Sequence, residues 1–284
     1  VKKTLSGALC LIVLIGAASC AETSLTEIDC AKNPASDQTA ASLAAAKNSL
    51  EQPPLEDASA TESPEPTATP YKIKLLMSGD FHGEDVEFKT GTTKDWMGLY
   101  RRKNKYFLLP ATVRIKSVPD YMYGEDSDKL SGKKVSTNHK LPEVFLLKNA
   151  RMLRAGEVKT LFYGNEDEPD NINRRYRRRF EFNEKKYTLA VEDSTADGNE
   201  WLTEKSKMTI AAGNLKQTIY APEICDDCGW DLRWVGDLDK DGKLDFLINL
   251  TNHYNSTIPR LFLSSPAGKG EILREVAAFG TVGC

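Results

Sequence analysis

The sequence predicts an all-β fold: an antiparallel β-sandwich or barrel, or a small propeller-like sheet array, following a signal peptide and a disordered tether. Three observations carry this expectation. From Tyr71 onward apolar residues come in short runs broken by Gly, Pro, Asn and Asp. Several runs alternate with period 2: Val113 and Ile115 share one face while Arg114 and Lys116 share the other. Leu244, Phe246, Ile248 and Leu250 also fall on one face. Long helical patterns are few, and about a dozen short strands suit sheet packing better than helical layers.

The chain opens with Lys2 and Lys3, then the apolar run "LSGALCLIVLIGAASC". A basic region, an apolar core and small residues make residues 1–19 a secretory signal peptide. The apolar run is shorter than the roughly 20 residues of a membrane span. Residues 20–70 are rich in Ala, Ser, Thr, Pro and Glu and lack aromatics. They cannot bury enough apolar surface to offset the entropy of ordering, so they are expected to form an extended tether. A short helix over "ASLAAAKNSLEQ", ended by Pro53-Pro54, is compatible with that.

Thirteen segments of 71–284 read as strands. They are "YKIKLLMSG", "WMGLY", "KYFLLPATVRIKSV", "PEVFLLKN", "VKTLFYG", "RRFEFNE", "KKYTLAVED", "KMTIAAG", "LKQTIYA", "LRWVGD", "KLDFLINLT", "PRLFLSS" and "LREVAAFG". Turn residues separate them at Asn183-Glu184-Lys185, Asp197-Gly198-Asn199, Gly213-Asn214 and Pro266-Ala267-Gly268. One globular unit over 71–284 is preferred to two sub-domains, because no linker interrupts it.

The net charge is −3. Residues 20–70 hold nine acidic and two basic side chains, and 1–19 two lysines, so 71–284 carries about +2. A near-neutral globular part gives no case for nucleic acid as a partner.

The densest chemistry lies at 237–245. Asp237, Asp239, Asp241 and Asp245 occupy positions 1, 3, 5 and 9, Gly242 position 6, and the Lys243 carbonyl position 7. Hard oxygen donors at this spacing, with glycine at the sharp turn, match the ligand order of a calcium loop. Without a cation, two carboxylates about 4 Å apart repel by about 4 kcal/mol at an effective dielectric near 20. Magnesium suits such an irregular multi-ligand cage less well.

Two resemblances follow. Ala17-Ala18-Ser19-Cys20 resembles the lipobox of bacterial lipoproteins, with Ala17 where Leu is usual. It implies acylation of Cys20, anchoring through an N-terminal lipid, and a bacterial cell-envelope location. Ala21 in place of Asp implies the outer membrane, facing the periplasm or the surface. The loop has Ile248 where an EF-hand has its Glu, and strands on both sides. It therefore resembles the calcium hairpins of the FG-GAP/VCBS type found in integrin-like propeller blades. That resemblance implies ligands from Asp237, Asp239, Asp241, Lys243 and Asp245. Only one copy is present, whereas propellers repeat the motif.

Of six cysteines, Cys10 leaves with the signal peptide, and Cys20 is either lipidated, as the lipobox resemblance implies, or removed by ordinary cleavage near Ala21. Cys30, Cys225, Cys228 and Cys284 remain, an even set that allows three pairings in an oxidising compartment. Structural disulfides are expected, with the pairing left open; a bridge from Cys284 to Cys225 or Cys228 would staple the C-terminal segment beside the aspartate loop, and Cys30 lies in the tether. The C-x-x-C at 225–228 lacks the helix that would lower a thiol pKa and lacks two further zinc ligands.

His82, His139 and His253 show no metal spacing, and no G-x-S-x-G elbow exists. "GDFHGED" at 79–85 is the best His/carboxylate cluster. Arg174, Arg175, Arg177, Arg178 and Arg179 follow a block of acids. They read as offsetting hairpin arms more readily than as a patch for anionic glycans or lipid headgroups. The four tryptophans read as core more readily than as a sugar platform.

The expected protein is an exported, lipid-anchored envelope protein. Its calcium-braced β domain acts as a non-catalytic binding or structural module for a glycan or protein ligand. The alternative is a calcium-stabilised extracytoplasmic hydrolase, which a cleft lined by histidine and carboxylates would favour.

Overall fold

A computed structural model describes residues 73–120, 130–164 and 170–283. The signal peptide, the tether, Cys20, Cys30 and Cys284 lie outside the described residues. The described residues contain no helix, and the all-β expectation holds.

The main sheet is antiparallel. It runs β1 (Lys74–Leu76), β6 (Glu143–Lys148), β3 (Gly91–Arg102), β4 (Lys105–Val118), β7 (Gly156–Tyr163), β13 (Trp230–Asp237), β14 (Asp245–Leu250), β16 (Pro259–Leu263) and β17 (Arg274–Ala278). β2 (Gly79–Phe81) pairs with β5 (Gly132–Thr137), β5 with β4, and β8 (Asp170–Ile172) with β13. β1 comes back beside β17, so the sheet nearly closes on itself. A meander of β9 (Arg177–Phe182), β10 (Lys185–Glu192), β11 (Lys207–Ala212) and β12 (Leu215–Tyr220) forms a second sheet. β15 (Ser256–Thr257) and β18 (Thr281–Val282) form a short ribbon.

Alternation decides what each strand buries. Val113 and Ile115 of β4 are buried while Arg114 and Lys116 are exposed. β14 is different, because all six of its residues are buried. Leu247 faces a core inside the curved sheet, with Trp96, Leu99, Phe145 and Trp234. Leu244, Phe246, Ile248 and Leu250 face a second core, closed by Phe180, Leu189 and Ile210 of the meander. A strand covered on both faces reads as a continuous apolar run. The meander's first turn is Asn183-Glu184, both with positive φ (47° and 64°). That two-residue geometry matches the twist of the flanking strands.

Candidate functional site

The aspartate loop joins β13 to β14, two strands that, like β16, serve both cores. Its apolar residues pin it from either side: Leu238 is buried in the first core and Leu244 in the second. Gly242 (φ 83°) turns the chain, and its carbonyl accepts from Asn183 Nδ2 at 3.0 Å. Lys240 Nζ donates to the Ala155 carbonyl at 3.1 Å.

Inside this frame the loop brings one carboxylate oxygen each of Asp237, Asp239 and Asp245 within 4.8 Å of one another. Two oxygens bound to one calcium at about 2.4 Å can lie at most about 4.8 Å apart. Asp237 and Asp245 are buried and Asp239 half-buried. Asp237 Oδ1 and Asp239 Oδ2 are buried without a hydrogen-bond partner. Buried acceptors usually have a partner, which a water or an ion can supply.

Burial pushes the Asp237 carboxyl up, and the charges of Asp239 and Asp241 add to it, against the Gly242 N–H. Burial pushes Asp245 well above the usual carboxylate range; the Asp239 charge adds, while the N–H groups of Ser264 and Leu238 oppose. Burial and neighbouring negative charge both disfavour ionised carboxylates, and a bound cation inverts that balance.

The five candidate ligands do not share one role. Asp245 is fully buried, and its Oδ2 accepts from the Leu238 N–H (2.7 Å) and its Oδ1 from the Ser264 N–H (2.8 Å). It is the hub of the loop as well as a member of the cluster. Asp241 lies outside that cluster of three. Its Oδ1 accepts from Ser264 Oγ (3.0 Å) and the Lys243 N–H (2.8 Å), and its Oδ2 pairs with Lys243 Nζ (3.2 Å). Ser264, at the end of β16, carries no motif and could not have been found from the sequence.

Other candidates fall elsewhere. Cys225 and Cys228 are paired with each other, with Cα atoms 5.2 Å apart, so neither is available to Cys284. Of the three pairings left open by the sequence, this is the one that joins the C-x-x-C to itself, and it rules out the staple from Cys284. The turn with Asp227 in the left-handed region (φ 50°) brings both cysteines within disulfide reach. His253 Nε2 contacts Asp226 Oδ2 at 2.9 Å, and His139 Nε2 contacts the Pro110 carbonyl at 2.9 Å.

The arginine run is largely absorbed by the fold. Arg174 is buried and pairs with Asp193 and Asp197, Arg175 pairs with Glu200, and Arg178 pairs with Asp170 and lies 4.0 Å over the Phe162 ring. Burial pushes Asp193 up, yet hydrogen bonds from Ser206, Thr195 and Thr203 outweigh it and hold the carboxyl below the usual range. Trp96, Trp230 and Trp234 are core residues; Trp201 is 81% exposed.

A cleft of about 440 Å³ does gather a histidine and carboxylates. It lies between β2, the residues after β4, and the β15–β18 ribbon. Its walls include His82, Asp85 and Asp120, with His82 Nδ1 2.7 Å from Asp120 Oδ1.

Comparison with family models, with curated proteins and with solved structures finds no match to this chain.

Proposed function

We propose that this is an exported, lipid-anchored bacterial envelope protein whose β domain is braced by one calcium ion and acts as a non-catalytic binding or structural module. The observation that carries the calcium reading is the buried cluster of Asp237, Asp239 and Asp245 with two unpartnered oxygens. Those three residues would hold the ion, with the Lys243 carbonyl and Asp241 as further donors after a small shift of Asp241 away from Lys243. The ion would supply positive charge among Asp237, Asp239 and Asp245, since Lys240 reaches the Ala155 carbonyl and Lys243 pairs with Asp241. The loop joins β13 to β14, so binding there braces both cores. Anchoring is supported by the signal-like residues 1–19, Cys20 and the polar tether. Acyl chains contribute about 0.8 kcal/mol per buried CH2.

Thermal unfolding of the full chain tests the brace. Calcium should raise the melting temperature, magnesium much less, and chelator should remove the rise. Asp239→Ala/Asp241→Ala should be insensitive to all three conditions. No calcium-specific rise in the unaltered chain would sink the reading. For the anchor, Cys20→Ala should move the protein out of the membrane fraction and abolish acyl labelling; retention of the label would refute it.

A second reading, a calcium-stabilised extracytoplasmic hydrolase, draws on the cleft with His82, Asp85 and Asp120. It has less support, because Ser256 Oγ is bonded to Thr251 Oγ1 (2.5 Å) and the His253 carbonyl (3.1 Å) rather than to His82. Turnover of an ester or glycoside that His82→Gln abolishes would establish it over the binding reading.

A further inference from the structure

The cleft beside β2 has the makings of a binding site that owes nothing to the aspartate loop. Segments far apart in sequence build it: 80–85, 118–120, 254–257 and 281–283. Its volume lies in the range of small-ligand sites.

Its charges are compensated internally. Asp80 pairs with Lys134 at 3.0 Å, and Asp120 with His82 at 2.7 Å. None of the described residues lining the cleft is Lys or Arg, so a phosphate or carboxylate would meet carboxylates and no strong cation. A cationic ligand would have to displace partners that Asp80 and Asp120 already hold. Asp85 remains: it is half-buried, and its Oδ2 is buried without a partner. Burial pushes its carboxyl up, against the Val282 N–H and His82. His82 Nδ1 lies 2.7 Å from Asp120 Oδ1, which leaves Nε2 as the ring nitrogen that can meet a ligand. The polar equipment therefore suits a neutral group that both donates and accepts.

One rim is aromatic. The Tyr254 ring is 68% exposed and is backed by His253, with ring centroids 4.5 Å apart and planes 32° from parallel. His253 is itself held between Asp226 Oδ2 (2.9 Å) and Asn255 Oδ1 (2.6 Å). An exposed ring on a fixed support offers apolar area at little entropic cost.

We propose that this cleft binds a neutral saccharide, with sugar hydroxyls bonded to Asp85 and His82 and a C–H ring face stacked on Tyr254. This rests on the reading of the domain as a binding module and names its ligand class; it does not depend on calcium.

Saturation-transfer NMR on the full chain tests it, with maltotriose, cellotriose and the N-acetylglucosamine trimer as probes. Choline and inorganic phosphate serve as charged controls. At least one trisaccharide should show transfer, weakened tenfold or more in Asp85→Ala and in Tyr254→Ala. Tyr254 is a surface residue, so its variant should melt as the unaltered chain does. Absence of transfer from all three sugars, or transfer unchanged in Tyr254→Ala, would overturn the proposal. Selective binding of choline or phosphate, lost in the same variants, would overturn it in favour of a charged ligand. The series is run with calcium and with chelator. A melting curve indifferent to calcium alongside retained sugar transfer would remove the brace and leave this site standing.

Discussion

Asp245 and Asp239 belong to one cluster but should respond oppositely to mutation. Asp245 satisfies the buried N–H groups of Leu238 and Ser264 whether or not a cation is present. Asp245→Ala should therefore cost about 3 kcal/mol or more, because each orphaned buried donor costs about 1–3 kcal/mol. Urea unfolding should show the loss in calcium and in chelator alike. Asp239→Ala should destabilise only in calcium, and in chelator should be neutral or stabilising, since it removes a charge that disfavours ionised Asp245. Glu143 carries a separate pH signature. Burial pushes its carboxyl up to about 7 from 4.5, against hydrogen bonds from Ser78 N and Oγ. The folded state holds this proton more tightly than the unfolded chain, so its contribution is complete below about pH 4.5 and lost as pH rises to about 7. Glu143→Gln should flatten the fall in melting temperature between pH 5 and 7; an unchanged slope would assign that fall to other groups. At this scale the aspartates were legible because their spacing is local. The division of labour was not, because Ser264 reaches Asp245 from 19 positions away.

Elements show where pattern reading works and where it stops. All thirteen segments read as strands contain strands, and β4 (Lys105–Val118) matches its segment residue for residue. The strands that went unread are short or polar: β2, β5, β8, β15 and β18. β5, "GKKVST", has Val135 as its one bulky apolar residue and is held by pairing with β4 and β2. Such a strand owes its state to its neighbours rather than to its own composition. The Cys225–Cys228 bridge belongs to this scale too. It closes a ring of four residues, for which chain entropy predicts a stabilisation of only about 2 kcal/mol. Cys225→Ser/Cys228→Ser should lower stability by no more than that, read by urea unfolding. A loss above about 4 kcal/mol would mean that the bridge holds more of the fold than its own turn.

For the whole molecule, the decisive feature is that the two cores share strands. β13 and β14 supply Trp234 and Leu247 to one core and Leu232, Val235, Phe246 and Ile248 to the other. Neither core can open without exposing the other's lining. Calorimetry should therefore show one cooperative transition, with matching calorimetric and van't Hoff enthalpies. Leu247→Ala and Ile248→Ala, facing opposite cores, should each lower the whole transition by about 2–5 kcal/mol. Two resolved transitions, each moved by one variant only, would refute this coupling. The sequence by itself determined the all-β class, thirteen strand positions and the carboxylate spacing at 237–245. Each follows from periodicity or contacts within a few residues, which physical chemistry reads directly along the chain. Tertiary structure alone decided that β14 is buried on both faces and that Cys225 closes on Cys228. It also decided that His82 meets Asp120 across 38 positions, and that Tyr254 stands at the rim of their cleft. Those outcomes depend on which strands become neighbours. That choice is set by the burial of many side chains together, and no single segment contains it.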